Sequence, residues 1–133
     1  MRADCHMHTY FSGDSEAKPE DMVLAAIDKG LEAICFTDHE DIDYFCDDIE
    51  FVFDPETYFK ELGALKEKYK EKLDIRIGVE FGLQPHLAKK AKAFTTANPY
   101  DFVIGSMHVV GGKDPYYPEF FEGISDEEAY RMA

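Results

Sequence analysis
The order in which the apolar runs change period constrains this chain most. Four short runs have strand character: residues 2–5 (RADC), 33–37 (AICFT), 75–81 (IRIGVEF) and 102–107 (FVIGSM). The segments between them carry apolar residues at helical spacing. In the first segment Pro19 suits an opening turn, Met22, Val23, Ala26 and Ile27 share a face, and Gly30 stops the run. In the second, Asp54 is placed to cap and Pro55 to take the first helical position, ahead of a stripe of Tyr58, Phe59, Leu62, Leu65 and Tyr69. The third opens at Pro85 and carries Leu87, Ala88, Ala91 and Phe94. The pattern is βαβαβαβ, an α/β chain whose parallel strands are joined by crossover helices. The acidic, aromatic stretch 40–53 fits no element.

The ionisable residues fall at equivalent places in this pattern. His6 and His8 end the first strand, Asp38 and His39 follow the second, Glu80 ends the third and His108 follows the fourth. The carboxyl end of a parallel strand is where α/β enzymes build their sites. Residues i and i+2 of an extended segment point the same way. His6 and His8 of CHMHTYFSGDS can therefore approach one cation, with Cys5 and Met7 turned into packing. Imidazoles with the carboxylates of Glu80 and Asp14 make a mixed nitrogen and oxygen donor set without thiolate. Such a set suits zinc, iron or manganese at a hydrolytic site better than a structural zinc.

Taken singly, each signal has a plainer reading. A lone His-x-His is weak. Asp14 in Ser-Gly-Asp-Ser is a turn former, Asp38 a cap or turn residue, and Glu80 a solvated strand end. His86, beside Pro85, reads as a surface residue at a helix start and stays outside the candidate site. The coincidence carries the weight: four of the five histidines and a carboxylate fall at the ends of four consecutive strands.

Composition narrows the partners. The 133 residues make one ordinary domain, and 45% hydrophobic content is enough for a core. A net charge of −14, from 28 acidic and 14 basic residues, repels phosphate backbones and argues against bulk nucleic-acid binding. No apolar run approaches the ~18 residues of a membrane span, and no signal-peptide pattern is seen. Cys5, Cys35 and Cys46 lack CxxC spacing and read as reduced thiols of a cytoplasmic protein.

Together, HMH at 6–8, TDH at 37–39, GVE at 78–80 and SMH at 106–108 resemble the PHP superfamily, named for polymerase and histidinol phosphatase. The likeness keeps order and spacing over almost the whole chain. CHMHTYFSGDS and ICFTDH are most similar to the histidinol-phosphatase branch. The resemblance implies a distorted (β/α)7, TIM-like barrel with up to three divalent metals at the strand carboxyl ends. It implies that His6 and His8 bind a first metal, that Glu80 bridges it to a second, that His108 binds the second, and that Asp14 and His39 bind the third. Asp38 would orient His39 or a water on the metal. Glu80 and Asp38 are thus the expected catalytic residues. The activity implied is metal-assisted hydrolysis of a small phosphomonoester, L-histidinol phosphate of histidine biosynthesis first, a nucleotide or other phosphoester second. A metal-binding module without catalysis is the third reading. Metals lining the pocket would let so acidic a chain hold an anion.

One departure stands out. Members of the superfamily carry further ligands beyond the fourth motif, ending in an Asp-x-His pair, whereas no histidine follows His108 here. Ser125 and Glu128 form a capping box, the start of a helix that has run about two turns at residue 133. Four βα units make roughly half of a barrel that usually needs 200 residues or more. Residues 1–133 therefore read as a PHP metallohydrolase domain incomplete at its C-terminal end, the N-terminal part of the barrel. Its uncovered sheet edges would favour homo-oligomers.

Overall fold
The computed structural model describes residues 2–45 and 51–132; Cys46 and part of the unassigned acidic stretch lie outside the described residues. In chain order the elements are β1 (Ala3–Met7), α1 (Pro19–Asp28), β2 (Ala33–Phe36), β3 (His39–Glu40), α2 (Pro55–Tyr69), β4 (Asp74–Gly82), α3 (Ala88–Ala97), β5 (Phe102–Ser106) and α4 (Asp126–Met132). Short 3₁₀ turns cover Pro85–Leu87 and Pro118–Phe120. The third helical segment therefore starts as a 3₁₀ turn before it becomes α3.

Among the described residues, every pairing between these strands is parallel. β1 pairs with β2, β2 with the first half of β4, and β5 with its second half, Gly78 against Phe102 through Gly82 against Ser106. The surprise is β3. After a break at Thr37 and Asp38, His39 and Glu40 pair with Glu80 and Phe81. The second half of β4 thus has β3 on one edge and β5 on the other. The sheet curls into part of a (βα)n TIM-like barrel. Two residues are too few for period-2 alternation to show, which is why the sequence pattern hid this strand.

The helices form where expected for local reasons. Pro19 and Pro55 occupy first turns, the Asp54 carboxylate accepts from the Thr57 backbone N–H at 2.9 Å, and Gly30 leaves α1 at φ +67°. α1 and α2 bury Val23, Ala26, Tyr58, Leu62 and Leu65 against Ile34 and Phe36 of β2 and Ile75 and Ile77 of β4. Phe94 of α3 stacks near Phe81 and Tyr100. One expectation is corrected: Cys5 is exposed rather than packed, whereas Met7 meets the core; the register of β1 against β2 shifts between Asp4 and Met7, so the two do not share one regular face. No helix of the described residues is long and apolar enough to cross a membrane.

Candidate metal centre
Glu80 is the hub. It sits near the end of β4, buried and flanked by strands on both edges, so its backbone is fixed. Its Oε2 is 2.7 Å from His6 Nε2 and 2.8 Å from His8 Nε2. Its Oε1 accepts from the Ser106 hydroxyl at 2.6 Å and lies 3.0 Å from His108 Nε2. Burial raises the Glu80 pKa, but contacts to His108, His8, Ser106 and His6 outweigh it and hold the carboxyl well below the usual range.

The other candidates gather around this carboxylate. His8 Nδ1 is 3.1 Å from Asp14 Oδ2, and His39 Nε2 is 3.5 Å from the same oxygen and 3.8 Å from Glu80 Oε2. Three groups result: His6, His8 and Glu80; His8, Asp14 and His39; His39, Glu80 and His108. Within each, the donor atoms lie within 4.8 Å of one another. Two ligands of one tetrahedral zinc stand roughly 3.4 Å apart for bonds of about 2.1 Å. The donor chemistry and spacing therefore fit divalent cations. Without a cation the imidazoles face carboxylates as cations themselves. The Glu80 contact chiefly lifts His8 to about 9, and Asp41 followed by Glu80 lifts His108 to about 10.

Asp38 lies elsewhere than expected. It is fully buried, and its Oδ1 accepts from the Thr9 backbone N–H at 2.5 Å, the Thr9 hydroxyl at 3.0 Å and the Ser12 hydroxyl at 3.0 Å. Ser12 Oγ in turn accepts the His39 backbone N–H at 2.9 Å. The carboxylate ties down the loop that carries Asp14 and makes no contact with the His39 ring. The interruption between β2 and β3 at residues 37–38 turns it inward, away from the site. His86 is also apart, paired with Asp43 at 3.0 Å on the surface.

The residue that sequence reasoning missed is Asp41. It is 7% exposed, and its two oxygens lie 2.8 and 2.9 Å from His108 Nδ1. Its Oδ2 is 3.0 Å from His39 Nδ1, at ion-pair distance but outside hydrogen-bond geometry. Burial works against its charge, yet His108 and His39 hold its pKa low. The available signal was the spacing: His39-x-Asp41 repeats the i, i+2 logic of His6-x-His8. Above the cluster opens a cavity of about 560 Å³, with Tyr44, Phe51, Asp114, Tyr116 and Tyr117 completing its wall.

A curled parallel sheet with an imidazole and carboxylate cluster at its strand carboxyl ends defines a class of α/β half-barrels whose strand ends could hold divalent metals. The model of the PHP domain matches residues 4–133, and the chain belongs to the PHP domain family. It is 37% identical to the histidinol-phosphatase of Lactococcus lactis subsp. lactis strain IL1403 over 131 residues, 98% of this chain and 48% of that protein. It is 33% identical over 132 residues to a Clostridium acetobutylicum protein named a probable histidinol-phosphatase, 99% of this chain and 49% of that one. Among solved structures, the Lactococcus lactis histidinol phosphate phosphatase complexed with zinc, L-histidinol and phosphate matches with a TM-score of 0.90 and 39% identity, over 98% of this chain and 49% of that one. The chain spans about half the length of the curated relatives it matches.

Proposed function
We propose that these residues supply the metal centre of a phosphoric monoester hydrolase acting on L-histidinol phosphate. The observation that carries this reading is the gathering of three His and carboxylate groups, two of which share Glu80, in a half-barrel like that of a protein solved with zinc, L-histidinol and phosphate. His6, His8 and Glu80 would hold one cation. Glu80 and His108 would hold a second, and Asp14 and His39 a third, with zinc, iron or manganese all suited to the donors. Bound divalent cations supply Lewis acidity for the phosphate oxygens and bring the pKa of a water to about 7.

The chain's own residues prepare that chemistry. Glu80 stays ionised, so one carboxylate can serve two cations. Ser106 donates to it and fixes its rotation. Asp38 anchors the loop of Asp14 through Thr9 and Ser12. Phe51 packs edge-on against the His39 ring, with centroids 5.0 Å apart, and limits its rotation. Turnover draws on groups outside these 133 residues as well, so the chain alone binds metal but hydrolyses poorly. A cytoplasmic site of action accords with this biosynthetic role.

The test measures metal content and phosphate release from L-histidinol phosphate on the same samples, for the 133-residue chain and for the full product of its reading frame. The expected result is metal-dependent release by the full product, abolished by Glu80→Gln. A metal-loaded full product that releases no phosphate from this substrate overturns the proposal. Equal rates on unrelated phosphomonoesters would overturn the substrate assignment alone.

A further inference from the structure
His39 and His108 come from strands on opposite edges of β4, and each offers Nε2 toward Glu80, at 3.8 and 3.0 Å. An imidazole can ligate through Nε2 only if its proton sits on Nδ1. Something must therefore receive both Nδ1 atoms. Only one carboxylate among the described residues stands near both, that of Asp41, hydrogen-bonded to His108 Nδ1 at 2.8 Å and at ion-pair distance, 3.0 Å, from the buried and otherwise unpartnered His39 Nδ1.

The seat of this carboxylate is unusual. It fills the place where a side chain of residue 82 would begin. A Cβ built on Gly82 would meet Asp41 Oδ1 at 1.7 Å and Cγ at 2.8 Å. Gly82 does not have a positive φ, so its backbone does not require glycine. The turn that carries Asp41 is held from the same segment of chain. Gln84 Nε2 donates to the Ile42 carbonyl at 3.1 Å, and the Asp41 backbone N–H donates to the Phe51 carbonyl.

We propose that Asp41, seated in the space that Gly82 leaves open, is a positioning residue that sets the rotation and tautomer of His39 and His108 together. Gly82 is its necessary counterpart: the gap at residue 82 exists to admit a carboxylate from β3's end. This inference rests on the metal-centre reading above. A neutral imidazole that donates Nδ1–H to a carboxylate is also a stronger base at Nε2, so the same contact raises ligand strength. Asn at position 41 keeps the shape and changes the chemistry. Its Oδ1 still accepts and, at the place of Asp41 Oδ2, lies within reach of both rings, so Asn removes the charge and one of the two acceptors rather than the contact itself.

The experiment is a zinc titration of the 133-residue chain with a competing chelator, and zinc content after equilibration, for wild type and four variants. Asp41→Asn is expected to weaken the zinc sites served by His39 and His108, and Asp41→Ala to bind zinc there roughly 10–100-fold more weakly or not at all, as for other supporting partners of metal ligands. The zinc held by His6, His8 and Glu80 should remain. Gly82→Ala should show the same selective loss, because the new methyl evicts the carboxylate. Gly82→Ala added to Asp41→Ala should cost nothing more, since nothing is left to evict. Additive losses would mean that Gly82→Ala acts through the backbone, which overturns the pairing of the two residues. Full, wild-type zinc binding by Asp41→Ala overturns the positioning role. A wild-type chain that takes up no zinc overturns the metal-centre reading and this inference with it. Asp41→Ala adds no volume, so it keeps the test decisive if Gly82→Ala does not fold.

Discussion

His8 Nε2 stands 2.8 Å from Glu80 Oε2, although 72 residues of chain separate them. The contact joins β1 to β4 across the intervening β2, and the same imidazole reaches Asp14 with its other nitrogen. One histidine thus belongs to two donor groups, as Glu80 does.

That sharing makes Glu80 the most sensitive position. Glu80→Gln removes a charge from two of the three groups. Zinc affinity should fall by more than the roughly 10–100-fold that losing a supporting residue costs. Turnover of the full protein should drop by orders of magnitude. Metal analysis and a phosphate-release assay on one preparation check this; normal content and rate would remove Glu80 from the centre.

Metal uptake should release protons. In the metal-free chain His8 titrates at about 9 and His108 at about 10, so both are cationic at neutral pH and must deprotonate to ligate. Affinity should rise with pH across 7 to 10. The metal-free fold should behave oppositely. Groups with raised folded pKa values stabilise it fully below about 6.5, and that contribution fades as pH rises through 9 to 10. Calorimetry in buffers of different ionisation enthalpy gives the proton count, and melting curves with chelator give the stability trend. A metal-free melting temperature that climbs from pH 7 to 10 contradicts the ion pairs.

The two described cysteines should differ sharply toward alkylation. Cys5 is exposed, whereas Cys35 is buried on β2, and burial is the main cause that pushes its thiol up to about 12. Thiolate is the reactive form. At pH 8, peptide mapping after brief iodoacetamide treatment should find Cys5 modified and Cys35 intact; equal labelling would show that β2 is open to solvent.

Leu62 of α2 is fully buried among Tyr58, Phe36 and Ile75 in the main core. Leu62→Ala should destabilise the chain by about 2–5 kcal/mol. Urea melts with excess zinc read this directly, and a change below about 1 kcal/mol would mean that the site collapses freely around the deletion.

His86→Ala should leave metal content unchanged. The ring is exposed and faces Asp43, away from the cluster. Loss of a full metal equivalent would show that residue type rather than strand-end position selects the ligands.

Much of this was legible before any coordinates. Long amphipathic runs, with Pro19 and Pro55 as openers, marked the helices, and the strand ends pointed to His6, His8, His39, Glu80 and His108. The gathered geometry of Asp14 rests on a turn, whose folding a sequence shows poorly. β3 escaped because two residues carry no period. Asp41 escaped because it sits in an acidic stretch where one carboxylate looks like any other, and only its neighbour Gly82, 41 residues away, singles it out. Asp38 misled for the opposite reason. Adjacency to His39 suggested service to that ring, but the break between β2 and β3 points successive side chains to different places, and Asp38 serves Thr9 and Ser12 instead.

The flanking of β4 on both edges has a consequence for how the centre comes apart. Its amides are locked between neighbours, so Glu80 moves only when the sheet itself opens. β1 has one described neighbour, as do β3 and β5, but the side chain of His6 is 54% exposed, more than those of His39 and His108. Fraying of β1 therefore frees the ligand that solvent already reaches best. A chelator should extract the cation shared by His6 first, at a rate set by native-state breathing rather than by unfolding. The remaining metal should leave only as fast as the β4 amides exchange with deuterium.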